Sequence, residues 1–143
     1  MRTHESGASS ASTSAYASAV GRLLLSAIFL ISGFGKLAAP AATKAYIASG
    51  GLPFPDLAYL AAVFVEVGFG LALLAGYRAR TVAAVMAAFT LVTAFAFHFN
   101  PGDQNQFIHF LKNLSIVGGL LQVVAFGGGA LSIDGRRSVL QAA

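Results

Sequence analysis

Hydrophobic residues lie in four long segments that are separated by turn-forming residues. The segments cover approximately residues 19–37, 57–77, 81–99 and 107–126. Pro40 follows the first segment, Pro55 precedes the second, and an Asn-Pro-Gly turn at residues 100–102 ends the third. Each segment is close to the roughly 20 residues that a membrane-spanning helix needs, and none shows the strict apolar–polar alternation of a barrel strand. The pattern predicts an all-α membrane protein, a bundle of four transmembrane helices.

The same pattern divides the chain into two tails and a membrane domain. Residues 1–18 are rich in Ser, Ala and Thr, so a disordered N-terminal tail is predicted there. The transmembrane domain covers residues 19–127, and residues 128–143 form a C-terminal tail. The alternative interpretation of the first segment is a cleaved signal peptide that ends near residues 39–42. That alternative is disfavoured, because the apolar stretch is longer than an h-region and Lys36 interrupts its end.

Basic residues indicate the orientation of the bundle. With four spans, the two tails and the loop after the second span share one side of the membrane, and that side carries all six arginines. The opposite side carries only the three lysines, Lys36, Lys44 and Lys112. Because cytoplasmic loops are enriched in Lys and Arg, both termini are predicted in the cytoplasm. The loops at residues 40–56 and 100–106 are predicted outside.

Composition supports a membrane protein and excludes some chemistry. Apolar residues make up 57% of the chain and charged residues 10%, with a mean hydropathy of +0.75; an average soluble domain is roughly 25% charged. The lipid bilayer is therefore the predicted environment, and the net charge of +4 is spread over loops, which does not indicate a nucleic-acid partner. The chain contains no cysteine, so disulfides, thiolate nucleophiles and cysteine-ligated clusters are excluded for this chain alone.

Glu66 is the most informative residue, because it is a carboxylate in the middle of the second span. It lies roughly 14 Å from the predicted outer end of its helix, and a carboxylate at that depth must be paired, protonated or hydrated. Lys36 and Lys112 are the candidate partners. Side chains lean toward the N-terminus of their helix, so Lys36 leans into the bundle and Lys112 leans out of it. Lys36 is therefore the predicted partner of Glu66.

Other polar side chains gather at the same predicted outer end. His109, Lys112 and Asn113 lie on one face of the fourth span, and His98 closes the third. The candidate binding residues are thus Lys36, Glu66, His98, His109, Lys112 and Asn113. Hydroxyl groups of Ser32, Thr90 and Thr93 are expected to bond to their own helices.

Three interpretations of this cluster remain open. It is either a buried ion pair that only sets helix register, or a pocket that binds a quinone head group or another small amphipathic molecule. The histidine pair could also ligate haem or a metal, but no carboxylate flanks it, so this interpretation is the weakest. No catalytic residue is assigned, and no cofactor other than quinone is expected.

Several short motifs resemble those of the DoxX family of small bacterial membrane proteins. They are RLLLSAIFLISGFGKLAAP in the first span, Glu66 followed by glycines and LALLAGYRAR in the second, and IHFLKNLSIVGGLL in the fourth. The resemblance covers most of residues 21–134. It implies a four-helix protein of the bacterial inner membrane, tied to redox metabolism, with Lys36, Glu66, His109, Lys112 and Asn113 at the functional positions.

The resemblance also implies functions. Some DoxX proteins are quinone-linked subunits of thiosulfate oxidation, and others assemble with a superoxide dismutase and a sulfurtransferase under oxidative stress. The absence of cysteine argues against direct thiol or sulfane-sulfur chemistry by this chain. The favoured hypothesis is a component of a redox or oxidative-stress membrane complex, with a quinone-binding pocket. The alternatives are a non-catalytic scaffold for a soluble oxidoreductase and, third, a proton-coupled transporter of small solutes, which would need a homo-oligomer to form a conduit.

Overall fold

The part of the chain described by the structure, a computed structural model, is mostly helical. The structure describes the backbone of residues 4–142 and the side chains of residues 12–141. The helices in chain order are α1 (His4–Ala38), α2 (Pro40–Ser49), α3 (Pro55–Val63), a π-helical segment (Phe64–Phe69), α4 (Gly70–Ala75), α5 (Ala79–His98), α6 (Gln104–Phe126) and α7 (Ile133–Ala142). No strand occurs within these residues. The predicted all-α class is confirmed.

Four helical stretches among the described residues are long and apolar enough to cross a membrane. They are Ser12–Ala38, Pro55–Ala75, Ala79–His98 and Gln104–Phe126, and they confirm the four-span prediction. The second span comprises α3, the π-helical segment and α4. It begins and ends two residues earlier than predicted. Pro55 suits the first helical position, where no backbone N–H is needed, and Gly76 ends the span in a left-handed conformation with a φ of 68°.

The structure differs from the prediction in the segments outside the four spans. Residues 4–18, predicted to be disordered, belong to α1, because alanine favours helix and the segment continues a long helix without a break. Residues 1–3 lie outside the described residues. The loop at residues 40–56 contains α2, and the C-terminal tail contains α7.

The two ends of the bundle differ in their basic residues. We call the end that holds Arg22, Arg78, Arg80 and α7 the arginine end, and the end that holds Lys36, Lys44 and Lys112 the lysine end. Helices α1 and α5 run from the arginine end to the lysine end, whereas the second span and α6 run the opposite way. Small buried residues, Ala83 and Ala87, lie on α5, which makes its most extensive contact with α6.

Arg22 ties three segments together at the arginine end. Its side chain is buried at 2% exposure and donates to the carbonyl oxygens of Leu73 (3.1 Å), Leu74 (2.7 Å) and Leu131 (2.5 Å). The carbonyls of the last turn of a helix have no partner within the helix, so Arg22 satisfies those at the end of α4. It also binds the segment before α7 to the bundle.

Asp134 makes the complementary contact at the start of the next span. Its carboxylate oxygens accept the backbone N–H groups of Arg78 (2.9 Å) and Ala79 (2.7 Å), which are unpaired donors at the beginning of α5. Ser18 donates to the carbonyl of Gly128 at 3.2 Å. The C-terminal segment, which we expected to be a simple tail, therefore holds the arginine end together.

The basic asymmetry predicts that the arginine end faces the cytoplasm. A fluorescent reporter that matures only in the cytoplasm should give signal when fused after Ala143 and none when inserted after Asp103. A phosphatase that is active only in the periplasm should show the reverse pattern. Phosphatase activity of the fusion after Ala143 would contradict the predicted orientation.

Loss of Arg22 should destabilise the fold strongly. Arg22→Met removes the donor to the carbonyls of Leu74 and Leu131 and one of the two donors to Leu73, which also accepts the Gly76 N–H. Bonds from a charged group contribute roughly 1.5–3 kcal/mol each. We expect the free energy of unfolding, measured by SDS titration in mixed micelles, to fall by about 3 kcal/mol or more. Arg136→Met, which removes an exposed arginine from α7, is the control. Equal effects of the two substitutions would show that the contacts of Arg22 contribute nothing specific.

Candidate functional site

Lys36 and Glu66 form an ion pair between α1 and the second span. The Lys36 Nζ atom lies 2.8 Å from Glu66 Oε2 and donates a hydrogen bond to Oε1 at 2.9 Å. The side chain of Glu66 is 8% exposed and that of Lys36 is 24% exposed. The predicted pairing is confirmed, because the opposite direction of α1 turns Lys36 toward Glu66.

Ser32 completes this pair, contrary to the sequence-based expectation. Its Oγ accepts a bond from Lys36 Nζ at 2.8 Å and donates to Glu66 Oε1 at 3.3 Å. The expectation of bonds back to the same helix is confirmed for Thr90, which donates to Met86 O at 2.7 Å, and for Thr93, which donates to Thr90 O at 3.0 Å. It is wrong for Ser32, because a nearby charged pair offers stronger partners than a helix carbonyl. Ser32 and Lys36 lie one helical turn apart on α1, and this spacing was the sequence signal for a contact between Ser32 and the ion pair.

The second oxygen of Glu66 is only partly used. Oε2 is buried, and Lys36 Nζ, 2.8 Å away, is its contact among the described residues. A carboxylate oxygen has two lone pairs, so Oε2 has one acceptor position that these residues do not fill.

Glu66 lies in a π-helical segment, Phe64–Phe69, that interrupts the second span. A π-turn accommodates an extra residue and changes the direction of the side chains that follow, and such turns are frequent at functional sites. The hydropathy pattern carries no signal for this feature, since the apolar residues continue through it. The segment is the principal element of the site that the sequence did not reveal.

Gly33 allows α1 to approach the π-helical segment. A Cβ atom at this position would lie 2.6 Å from Val67 Cγ2 and 3.0 Å from Glu66 Cβ, which is closer than van der Waals contact permits. The backbones are therefore in contact next to the ion pair. This approach places Ser32 and Lys36, which flank Gly33 on α1, within reach of the carboxylate.

The remaining predicted residues form a second group at the lysine end. Lys112 is exposed, and its Nζ contacts His109 Nδ1 at 3.1 Å. His98 Nδ1 contacts Gln106 Oε1 at 2.9 Å, and the rings of His98 and His109 lie 5.4 Å apart between centroids. None of these contacts of His98 and His109 involves Glu66. The second group is therefore separate from the ion pair of Lys36 and Glu66.

A cavity of about 560 Å³ connects the two groups. All four spans and α2 contribute to its wall, which is mostly apolar. The polar or charged residues of the wall are Ser32, Lys36, Thr43, Glu66, Thr90, Thr93, His98, Lys112 and Asn113. Five of the six predicted binding residues therefore line one cavity, and His109 is the one that does not.

Helix α2 covers the lysine end of this cavity. Its residues Thr43, Tyr46 and Ile47 belong to the wall, and the Tyr46 ring stacks on Phe97 with centroids 5.2 Å apart.

Lys44 pairs with Asp56 at 2.5 Å, so Asp56 anchors α2 instead of capping its own helix. The Asp56 carboxylate raises the pKa of Lys44. Because the folded-state pKa is the higher one, this contribution to stability is present at neutral pH and is lost only as the pH rises through that pKa.

Removal of one member of the buried pair should be costly. Lys36→Met is expected to lower the free energy of unfolding by about 3–5 kcal/mol, because it leaves a buried carboxylate unpaired, and Lys36→Met with Glu66→Gln should recover part of that loss. SDS titration in mixed micelles measures all variants. Lys44→Met, at an exposed pair, should produce little change. A loss for Lys112→Met as large as that for Lys36→Met would contradict the pairing.

The comparisons with known proteins agree with this architecture. A family model described as DoxX matches residues 17–99. The chain is 41% identical over 115 residues to the inner membrane protein YqjF of Escherichia coli (strain K12), which covers 80% of this chain and 87% of the relative. It is 36% identical over 122 residues to the inner membrane protein YphA of the same organism, covering 82% and 87% respectively. No solved structure matches the chain.

The family match covers the first three membrane spans, which include the ion pair and the π-helical segment. The alignments with the two relatives cover most of the chain. Together with the four apolar spans, these matches identify a multi-pass protein of the inner membrane. The chain belongs to the DoxX family.

Proposed function

We propose that the cavity at the lysine end binds a small amphipathic molecule with a quinone-type head group, and that the chain serves in a membrane redox or oxidative-stress complex. One observation carries the proposal: a mostly apolar cavity whose wall includes the buried ion pair of Lys36 and Glu66. Sites for small molecules commonly combine an apolar wall with a few fixed polar groups.

The polar groups of the wall suit both redox forms of a quinone. The carbonyl oxygens of the oxidised form accept hydrogen bonds, and Lys36, Lys112 and Asn113 are donors. The hydroxyl groups of the reduced form donate, and the Glu66 carboxylate is an acceptor. One cavity therefore offers partners for both redox forms.

The shape of the cavity suits a ligand with an apolar tail. Its volume lies within the roughly 300–1,000 Å³ range of small-molecule sites. Ile31 and Val92 line the cavity, yet they are 74% and 62% exposed on the surface of the spans. Because these side chains border both spaces, the cavity reaches the surface that faces the hydrocarbon. A tail can extend there while the head group stays at the ion pair.

The role in a redox complex is supported by this ligand chemistry and by the DoxX membership. The chain contains no cysteine, so its own contribution would be to bind and orient the quinone. Electrons would then pass to or from an oxidoreductase partner. A scaffold that binds such a partner without any ligand is the competing function.

Photolabelling with a short-chain azidoquinone tests the proposal. Wild-type protein in lipid nanodiscs should show saturable labelling, with modified peptides from α1 and the second span. Glu66→Gln should weaken binding by about tenfold, since a charged acceptor is replaced by a neutral one. Ala96→Phe, which fills the cavity and leaves the ion pair intact, should also reduce labelling. Ser115→Ala, at an exposed hydroxyl on α6, is the matched control and should label like wild type.

Two results would contradict the quinone site. Equal labelling of wild type, Glu66→Gln and Ala96→Phe would place the probe elsewhere in the protein or the lipid. Absence of saturable labelling in wild type, combined with retention of a soluble oxidoreductase on the immobilised protein, would favour the scaffold function.

A further inference from the structure

A second cavity lies at the arginine end, on the side of the bundle opposite to the proposed quinone site. Its volume is about 590 Å³. The wall is formed by the start of α5, the end of α6, the following loop and the start of α7. The residues that matter here are Arg78, Arg80, Phe126, the glycine loop at residues 127–129, and Asp134. Neither the ion pair nor the proposed quinone binding uses this cavity.

Among the described residues, neither arginine of the cavity wall has a carboxylate partner. The two ion pairs of these residues, Lys36–Glu66 and Lys44–Asp56, lie at the other end. The one acidic residue that they contribute to the wall, Asp134, directs its two oxygens to the backbone N–H groups of Arg78 and Ala79. The Arg78 guanidinium lies over the Tyr77 ring, 5.9 Å from its centroid, a contact that leaves its N–H donors, like those of Arg80, available to an anion.

The glycine loop brings backbone donors to the same cavity. Gly127 and Gly129 have φ angles of 81° and 76°, a backbone conformation that residues other than glycine rarely adopt. A Cβ atom at Gly127 would lie 3.4 Å from Arg80 Nε, so the guanidinium lies against bare backbone. The carbonyls of Gly128 and Gly129 accept from Ser18 and Ser132. Within the described residues, the N–H groups of Gly128 and Gly129 donate no hydrogen bond.

Strain at Arg78 is a further sign of a specialised site. Arg78 has a φ of 46°, one of two positive values among the described residues other than glycine. A left-handed conformation is unfavourable for a residue with a side chain, and such strain gathers at binding sites. Here it is held by the Asp134 carboxylate on the Arg78 N–H. The same carboxylate thus positions the arginine without neutralising it.

We propose that this cavity binds a phosphate group, with Arg78, Arg80 and the N–H groups of Gly128 and Gly129 as its donors. Guanidinium groups form paired, charge-assisted bonds to phosphate oxygens, and backbone N–H groups in glycine-rich loops form anion-binding concavities. The phosphate comes either from an anionic membrane lipid or from a soluble compound. Phe126, 77% exposed at the edge of the cavity, offers an apolar surface that would suit a lipid chain.

The experiment uses the full-length chain in a maltoside detergent, which contains no phosphate. Binding of short-chain phosphatidylglycerol, of diacylglycerol with the same chains, and of inorganic pyrophosphate is measured by native mass spectrometry. Arg78→Gln with Arg80→Gln is the test variant. Arg136→Gln with Arg137→Gln is the matched control, because it removes the same charge from exposed positions of the neighbouring α7, outside the cavity wall. Arg80→Gln alone serves if substitution of the strained Arg78 impairs folding.

We expect wild type and the control to bind phosphatidylglycerol and not diacylglycerol, and the test variant to bind about tenfold more weakly or worse. This result would identify a lipid as the source of the phosphate. Binding of pyrophosphate with the same dependence on Arg80, and no preference for the anionic lipid, would support the site with a soluble ligand. Equal weakening in the test and control variants would overturn the proposal, because only the net charge would then matter. Absence of binding by wild type to either phosphate compound would overturn it as well.

Discussion

The ion pair between Lys36 and Glu66 is the interaction around which the lysine end is organised. Transfer of two charges from water into a bundle of apolar helices is costly, and their attraction offsets the cost only when the geometry is good and further bonds are made. Here Ser32 bridges the two charges, and Gly33 removes the side chain that would hold the helices apart. A change in any of these residues would alter the distance between α1 and the second span.

The arginine end solves a different problem with different chemistry. Spans end there, so the unpaired groups are backbone carbonyls and N–H groups and not side-chain charges. Arg22 reaches three carbonyl oxygens on two segments, which a single lysine ammonium could not match in the same planar arrangement. Asp134 performs the opposite task at the start of α5. This end is held by contacts to backbone, and the lysine end by contacts between side chains.

The sequence predicted those features that follow from one-dimensional pattern and helix direction. Span number and approximate bounds follow from hydropathy, and the choice of Lys36 over Lys112 follows from the lean of side chains on antiparallel helices. The sequence did not predict the π-helical segment or helix α2. The π-turn lies where the second span packs against α1 at Gly33, and tertiary packing of this kind leaves no periodic signal in the chain. Helix α2 does carry a local signal, Pro40 at its first position followed by alanines, but with 10 residues it is too short to be detected as an apolar span.

The structure also bears on whether the ion pair serves only to set helix register. A buried pair is weak evidence for stability, since apolar residues of similar volume often do as well. Register between α1 and the second span is already constrained by the contact of Gly33 with Val67. A pair that served register alone would need no free space beside it, yet Lys36 and Glu66 both line a cavity of about 560 Å³. A charged pair in the wall of a mostly apolar cavity is the arrangement that the proposed amphipathic ligand would complete.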